Sequence, residues 1–103
     1  MKYSENYIKI MDISVNLARV GNWTADNYDG KRNLILKFLA QTDKYLGDVK
    51  KLSLPKDVKQ TILRFEKQFK LLRDEASRPK NTYDWAERAL TWANILQHRA
   101  KLA

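Results

Sequence analysis

Five residues near the end of the chain are spaced for chemistry on one helical face. Trp85, Arg88, Trp92, Ile95 and Arg99 step by three, four, three and four residues, so a helix would align them. Indole rings can stack on nucleic-acid bases, and guanidinium groups between them can meet phosphates. The same spacing also suits core or interface anchors, with the arginines reaching outward to water. Other chemically able residues are sparse. The 103-residue chain has no cysteine and a single histidine, His98. His98 has no Glu-x-x-His or His-x-x-x-His spacing around it, so no metal centre is expected. No arginine lies four to six residues before it, which disfavours a helical ribonuclease with an Arg–His pair. Asp26 with Asp29, and Asp74 with Glu75, read as local acidic pairs at helix ends. With no glycine-rich loop and no nucleophile elbow, general acid–base and phosphoryl-transfer chemistry lack their parts. The expectation is a protein without catalytic residues, metal or cofactor, which holds something rather than converting it.

The charge balance says what kind of thing it could hold. Twenty Lys and Arg stand against twelve Asp and Glu, a net charge of +8. Such a balance favours polyanionic partners, nucleic acid or acidic protein surfaces, although lysine also serves solubility alone. At 44% hydrophobic and 31% charged residues, the composition fits a folded globular chain. One domain spanning 1–103 is expected. No apolar run approaches the roughly 18 residues of a membrane span, and Met1-Lys2-Tyr3-Ser4 leads into no signal-peptide core. The lack of cysteine suits a reducing cytoplasm.

The elements that must position these residues are helical throughout. Apolar residues recur at three- and four-residue steps, and no strand-like alternation appears. Four helices are predicted, over about 5–20, 24–52, 55–77 and 82–101. Gly21-Asn22 would end the first, Pro55 would open the third, and Pro79 would close it. Gly30 leaves the start of the second uncertain, and Asn81 or Thr82 can cap the fourth. Short connections make neighbours antiparallel, so the fold expected is all-α, an antiparallel up-down four-helix bundle.

Val58, Ile62, Phe65, Phe69, Leu72 and Ala76 give the third helix a regular apolar stripe. Ile35, Phe38, Thr42, Tyr45, Val49 and Leu52 give the second the same rhythm. Away from that stripe Lys37, Lys44 and Lys51 repeat every seven residues, a row on the outer face. The third helix is the most basic segment, with seven basic and four acidic residues over 55–79. Such a diffuse field supplies salt-sensitive affinity without reading base sequence. The fourth helix turns a second face, Ala86, Leu90, Ala93 and Leu96, toward the expected core.

The first helix differs. Tyr7, Ile10, Ser14 and Leu17 form one stripe, and Ile8, Met11, Val15 and Ala18 form another beside it. That apolar arc is wider than a surface helix of a small bundle needs. Ile8, Met11 and Val15, with Trp85 and Trp92, are therefore candidate interface residues in a homo-oligomer.

Certain segments resemble a known family. Tyr7-Ile8-Lys9-Ile10-Met11-Asp12-Ile13, Lys31-Arg32-Asn33-Leu34 at a helix start and Leu71-Leu72-Arg73 late in the third helix resemble the four-helix-bundle family of the accessory variability determinant of diversity-generating retroelements. That family also includes proteins encoded in 23S rRNA intervening sequences. The chain departs from the family's pattern at Gly21-Asn22-Trp23-Thr24. The resemblance implies a ring-like homo-oligomer, often a pentamer, with a positive surface. It also implies binding to nucleic acid and to a reverse transcriptase, in support of cDNA synthesis. No catalytic residue carries over. The candidate nucleic-acid contacts are Lys31, Arg32, Lys37, Lys44, Lys51, Arg88 and Arg99, and the partner expected is RNA or single-stranded DNA bound without sequence preference. The alternative is a protein-interaction or structural bundle whose charge serves only solubility.

Overall fold

A computed structural model describes residues 4–103. They form three α-helices and, among the described residues, no strand: α1 (Glu5–Lys50), α2 (Lys56–Ala76) and α3 (Thr82–Ala100). The all-α expectation holds, but the helix count is three where four were predicted. The segment 5–20 and the segment predicted over 24–52, as far as Lys50, run on as parts of α1, and the expected stop at Gly21-Asn22 does not occur.

The reason lies in packing. Gly21 is a buried helical residue pressed against α3, where an added Cβ would sit 2.8 Å from Leu90 Cγ and 3.2 Å from the Ala86 carbonyl oxygen. This glycine permits a close helix–helix approach. It does not end the helix.

The interruption falls six residues later. Asn27 leaves helical geometry, with φ −160° and ψ 76°. Its Oδ1 accepts a hydrogen bond from Gly30 N at 3.1 Å, which is the work of an N-cap for the turn that follows. A straight helix of 46 residues would reach about 69 Å at 1.5 Å per residue. The longest dimension of the molecule is 38 Å, so α1 folds back at Asn27. Its first arm (5–26) and second arm (28–50) lie side by side. Asn16 Nδ2 donates to Gln41 Oε1 at 3.0 Å and to Thr42 Oγ1 at 3.3 Å. Near the bend, Trp23 meets Phe38 edge-on with centroids 5.1 Å apart.

The remaining ends follow local rules. Ser4 caps α1 by accepting from Tyr7 N, and Asn81 caps α3 by accepting from Asp84 N at 3.0 Å. Pro55 precedes α2 in an extended conformation, where its missing N–H costs nothing. Asp57 and Asp84 occupy first turns, and Arg73, His98 and Arg99 occupy last turns, in accord with the helix dipoles.

The core lies between the arms of α1, α2 and α3. All six residues of the predicted α2 stripe, Val58 to Ala76, are buried. The first arm contributes Ile10, Ile13, Leu17 and Val20, and α3 contributes Trp85, Ala89, Ala93 and Leu96. In the second arm Ile35, Thr42 and Val49 are buried as expected. Phe38 and Tyr45, and Leu52 just beyond the arm, are only half-buried, and Leu39 and Leu46 take the deep positions instead. α1 packs chiefly on α3, where small residues let the backbones approach and Ser14 Oγ donates to the Ala93 carbonyl at 2.7 Å.

Candidate nucleic-acid interface

The predicted face of α3 divides once it is folded. Trp85 is 1% exposed, and its Nε1 donates to the Leu72 carbonyl at 2.9 Å. It anchors α3 to α2 and has no surface to offer a base or another subunit. Trp92 is half-buried, its ring tilted against Phe65 with centroids 5.4 Å apart. Arg88 is held by Glu75 of α2 and by Asp84 one turn back, with Nε 3.2 Å from Asp84 Oδ2. The hydrogen bond to Glu75 holds its guanidinium above the ordinary range, with partial burial opposing. Its charge is matched by two carboxylates, so it has little attraction left for phosphate. Arg99 stands half-exposed in the last turn of α3 with no carboxylate partner among the described residues.

On α1 the predicted cations also separate. Arg32 Nε donates to the Ser77 carbonyl at 3.3 Å, where a cation suits the C-terminal end of α2. Lys31, beside it, is half-exposed. Lys37, Lys44 and Lys51 are exposed, and the first two flank one recess on the outer side of the second arm. None of these three lysines has a carboxylate partner among the described residues.

The bridged cations do a different job. Arg73 Nη1 meets Asp43 Oδ2 at 3.1 Å and Lys50 meets Glu66, so two ion pairs tie the second arm to α2. They border a groove of about 560 Å³ floored by Leu46 and Phe69. Lys67 and Lys70 stand on its α2 side without partners. Lys56 and Lys59 are exposed on the same helix.

Sequence reasoning missed two aromatic residues beside the lysine row. The recess next to it measures about 440 Å³ and is lined by Lys37, Phe38, Ala40, Gln41, Lys44 and Tyr45. Phe38 and Tyr45 were assigned to the core stripe, but they lie at its flank. The signal that could have found them is a Lys-aromatic pair repeated at seven-residue spacing, Lys37-Phe38 and Lys44-Tyr45. Arg19 of the first arm adds a cation 5.8 Å from the Phe38 centroid.

The predicted interface residues of the first arm face outward. Ile8 is 50% exposed and Val15 41%, with half-buried Met11 and Ala18 completing the strip. On α2, Leu63 and Leu71 are exposed to a similar degree. Among the described residues no group of three or more His, Asp or Glu lies together as a metal would require. Nor is any described helix long and apolar enough to cross a membrane. Comparisons with protein families, with curated proteins and with solved structures gave no match.

Proposed function

We propose that this chain is a non-catalytic accessory protein that binds nucleic acid through its phosphates, without reading sequence, and assembles with copies of itself. In this reading the two arms of α1, with α2 and α3, act as four rods of an up-down bundle. Lys37 and Lys44 on the second arm, Lys51 at its C-cap, and Lys59, Lys67 and Lys70 on α2 form the contact surface. The observation that carries the proposal is the division among the cations. Lys50, Arg73 and Arg88 spend their charge on joining helices, while these six lysines have no carboxylate partner among the described residues. Neutralising phosphates with free lysines releases counterions, and that alone gives affinity.

The test is a salt series. Affinity for a single-stranded oligonucleotide, measured by fluorescence anisotropy, should fall on a log–log plot with a slope of about −0.7 per phosphate neutralised. Changing Lys37 and Lys44 together to Gln should make that slope shallower by about 1.4. Undetectable binding to both RNA and single-stranded DNA at low salt would sink the proposal. The proposed setting is the cytoplasm, which the lack of cysteine suits, and the proposed role follows the resemblance stated above. There a homo-oligomer, a pentamer in that family, would assist a retroelement reverse transcriptase in cDNA synthesis.

A second reading is favoured by a different observation. The exposed strip Ile8–Met11–Val15 fits a protein partner better than a polyanion, because it is apolar and carries no cation of its own. In that reading the protein is an interaction module and its lysines keep it in solution. It predicts that charge changes on the strip break an assembly while the Lys37 and Lys44 changes do little.

A further inference from the structure

The geometry points to the recess over Ala40 as a subsite for one nucleotide of a single-stranded nucleic acid, its base against Tyr45 beside the rim of Phe38 and its flanking phosphates on Lys44 and Lys37. This rests on the proposed nucleic-acid binding and gives that binding a location. It also moves base stacking from α3, where Trp85 is enclosed, to α1.

Four features of the recess fit such an occupant. Its volume, about 440 Å³, lies within the ordinary range of small-ligand sites. Ala40 is small and exposed between the longer Lys37, Gln41 and Lys44, so a flat ring can approach the helix there. Tyr45 supplies aromatic surface at the edge, beside the rim of Phe38, whose ring already meets Trp23 and Arg19, and base–aromatic stacking tolerates any base because every base has a π-face. Gln41 has its Oε1 committed to Asn16 Nδ2 at 3.0 Å, which leaves its two N–H donors for a base carbonyl.

The charges around the recess set the direction of the strand. Lys37 and Lys44 are seven residues apart, about 10 Å along the helix axis. Each flexible stem can carry its ammonium to a phosphate on either side of the bound base. Among the described residues, neither Lys37 nor Lys44 is paired with a nearby carboxylate. Asp43 is bridged to Arg73. Asp12 and Asp48 line a separate hollow of about 70 Å³ with Lys9 and Tyr45. A duplex could satisfy the lysines, but its bases are stacked away from the recess, so only an unpaired strand can use both halves of the site.

The experiment compares two strands with the same phosphates. Binding of an oligothymidylate of about ten nucleotides, roughly one single-strand site, is measured at low salt against an abasic strand of equal length. The native chain should prefer the thymidylate by at least about fivefold. Tyr45→Leu removes the stacking ring but keeps the apolar bulk packed on the core. Ala40→Gln fills the recess without changing charge and sits on the exposed face, so it leaves the fold intact even where Tyr45→Leu does not. Ala40→Gln, and Tyr45→Leu where it folds, should abolish the preference and leave abasic affinity unchanged. Equal affinity of the native chain for the two strands, or a preference that survives Ala40→Gln, overturns the subsite while the lysine row stands as a phosphate-binding surface. Binding to neither strand overturns the nucleic-acid reading as well.

Discussion

Trp85 shows how much one side chain can hold. Its ring is enclosed between α2 and α3, and its N–H finds the Leu72 carbonyl, so it contributes both apolar burial and a satisfied donor. Trp85→Ala should cost about 3–5 kcal/mol, read as a drop in the urea midpoint at unchanged slope. Two glycines of α1 behave in opposite ways. Gly47 has nothing within 4 Å of where a Cβ would lie, so Gly47→Ala should raise stability by about 1 kcal/mol through helix propensity alone. Gly21→Ala gains the same propensity but drives its methyl into Leu90 and the Ala86 carbonyl. A net loss of about 1 kcal/mol or more is expected, as for other overpacked interiors. Thermal melts of the two variants should move in opposite directions, and a common direction would refute this account of Gly21.

At the scale of elements, α1 is decided at Asn27. The side chain caps the second arm while its backbone leaves the helix, so one residue both ends one arm and starts the next. Asn27→Ala should cost about 1 kcal/mol and Asn27→Asp much less, since aspartate caps equally well. Equal losses in chemical denaturation would show that the side-chain cap is not what matters. The sequence pointed to Gly21-Asn22 because glycine is a common helix end, and local pattern cannot tell a terminating glycine from one that admits a neighbouring helix. α2 was readable in full, because it presents one stripe to one core. The second arm was less so. A strict seven-residue repeat selects Phe38, Tyr45 and Leu52, yet a real helix drifts from that repeat. Contacts on several sides then bury Leu39 and Leu46 more deeply.

At the scale of the molecule, the charges sort by what they touch. The bridges Lys50–Glu66, Arg73–Asp43 and Arg88–Glu75 join α1 to α2 and α2 to α3. They are partly exposed and individually worth little, but they account for which lysines remain free. The apolar strip on the first arm is the other surface left over. If it meets a second copy, changing Ile8 and Val15 together to Glu should reduce the mass in solution to that of one chain. The melting temperature of that chain should stay within a few degrees, because neither side chain is buried within it. A monomeric native chain would disprove assembly through this face. An unchanged oligomer in the double variant would place assembly elsewhere, with exposed Leu63 and Leu71 the next surface to change.

The helical class, the α2 stripe, the bounds of α2 and α3 to within about two residues and the spacing of the lysine row are all determined by the sequence alone. Each depends on neighbours a few positions apart, where a 3.6-residue period is enough. Tertiary structure alone decided that Gly21 packs rather than terminates, and that α1 doubles back at Asn27. It also decided that Trp85 is core, that Arg88 is spoken for, and that Phe38 and Tyr45 stand beside free lysines. Each of these depends on a contact between residues far apart in the chain, such as Asn16 with Gln41, Gly21 with Leu90 or Arg88 with Glu75. Local periodicity places a side chain on an arc of its helix, and only the packing of helices decides what that arc meets.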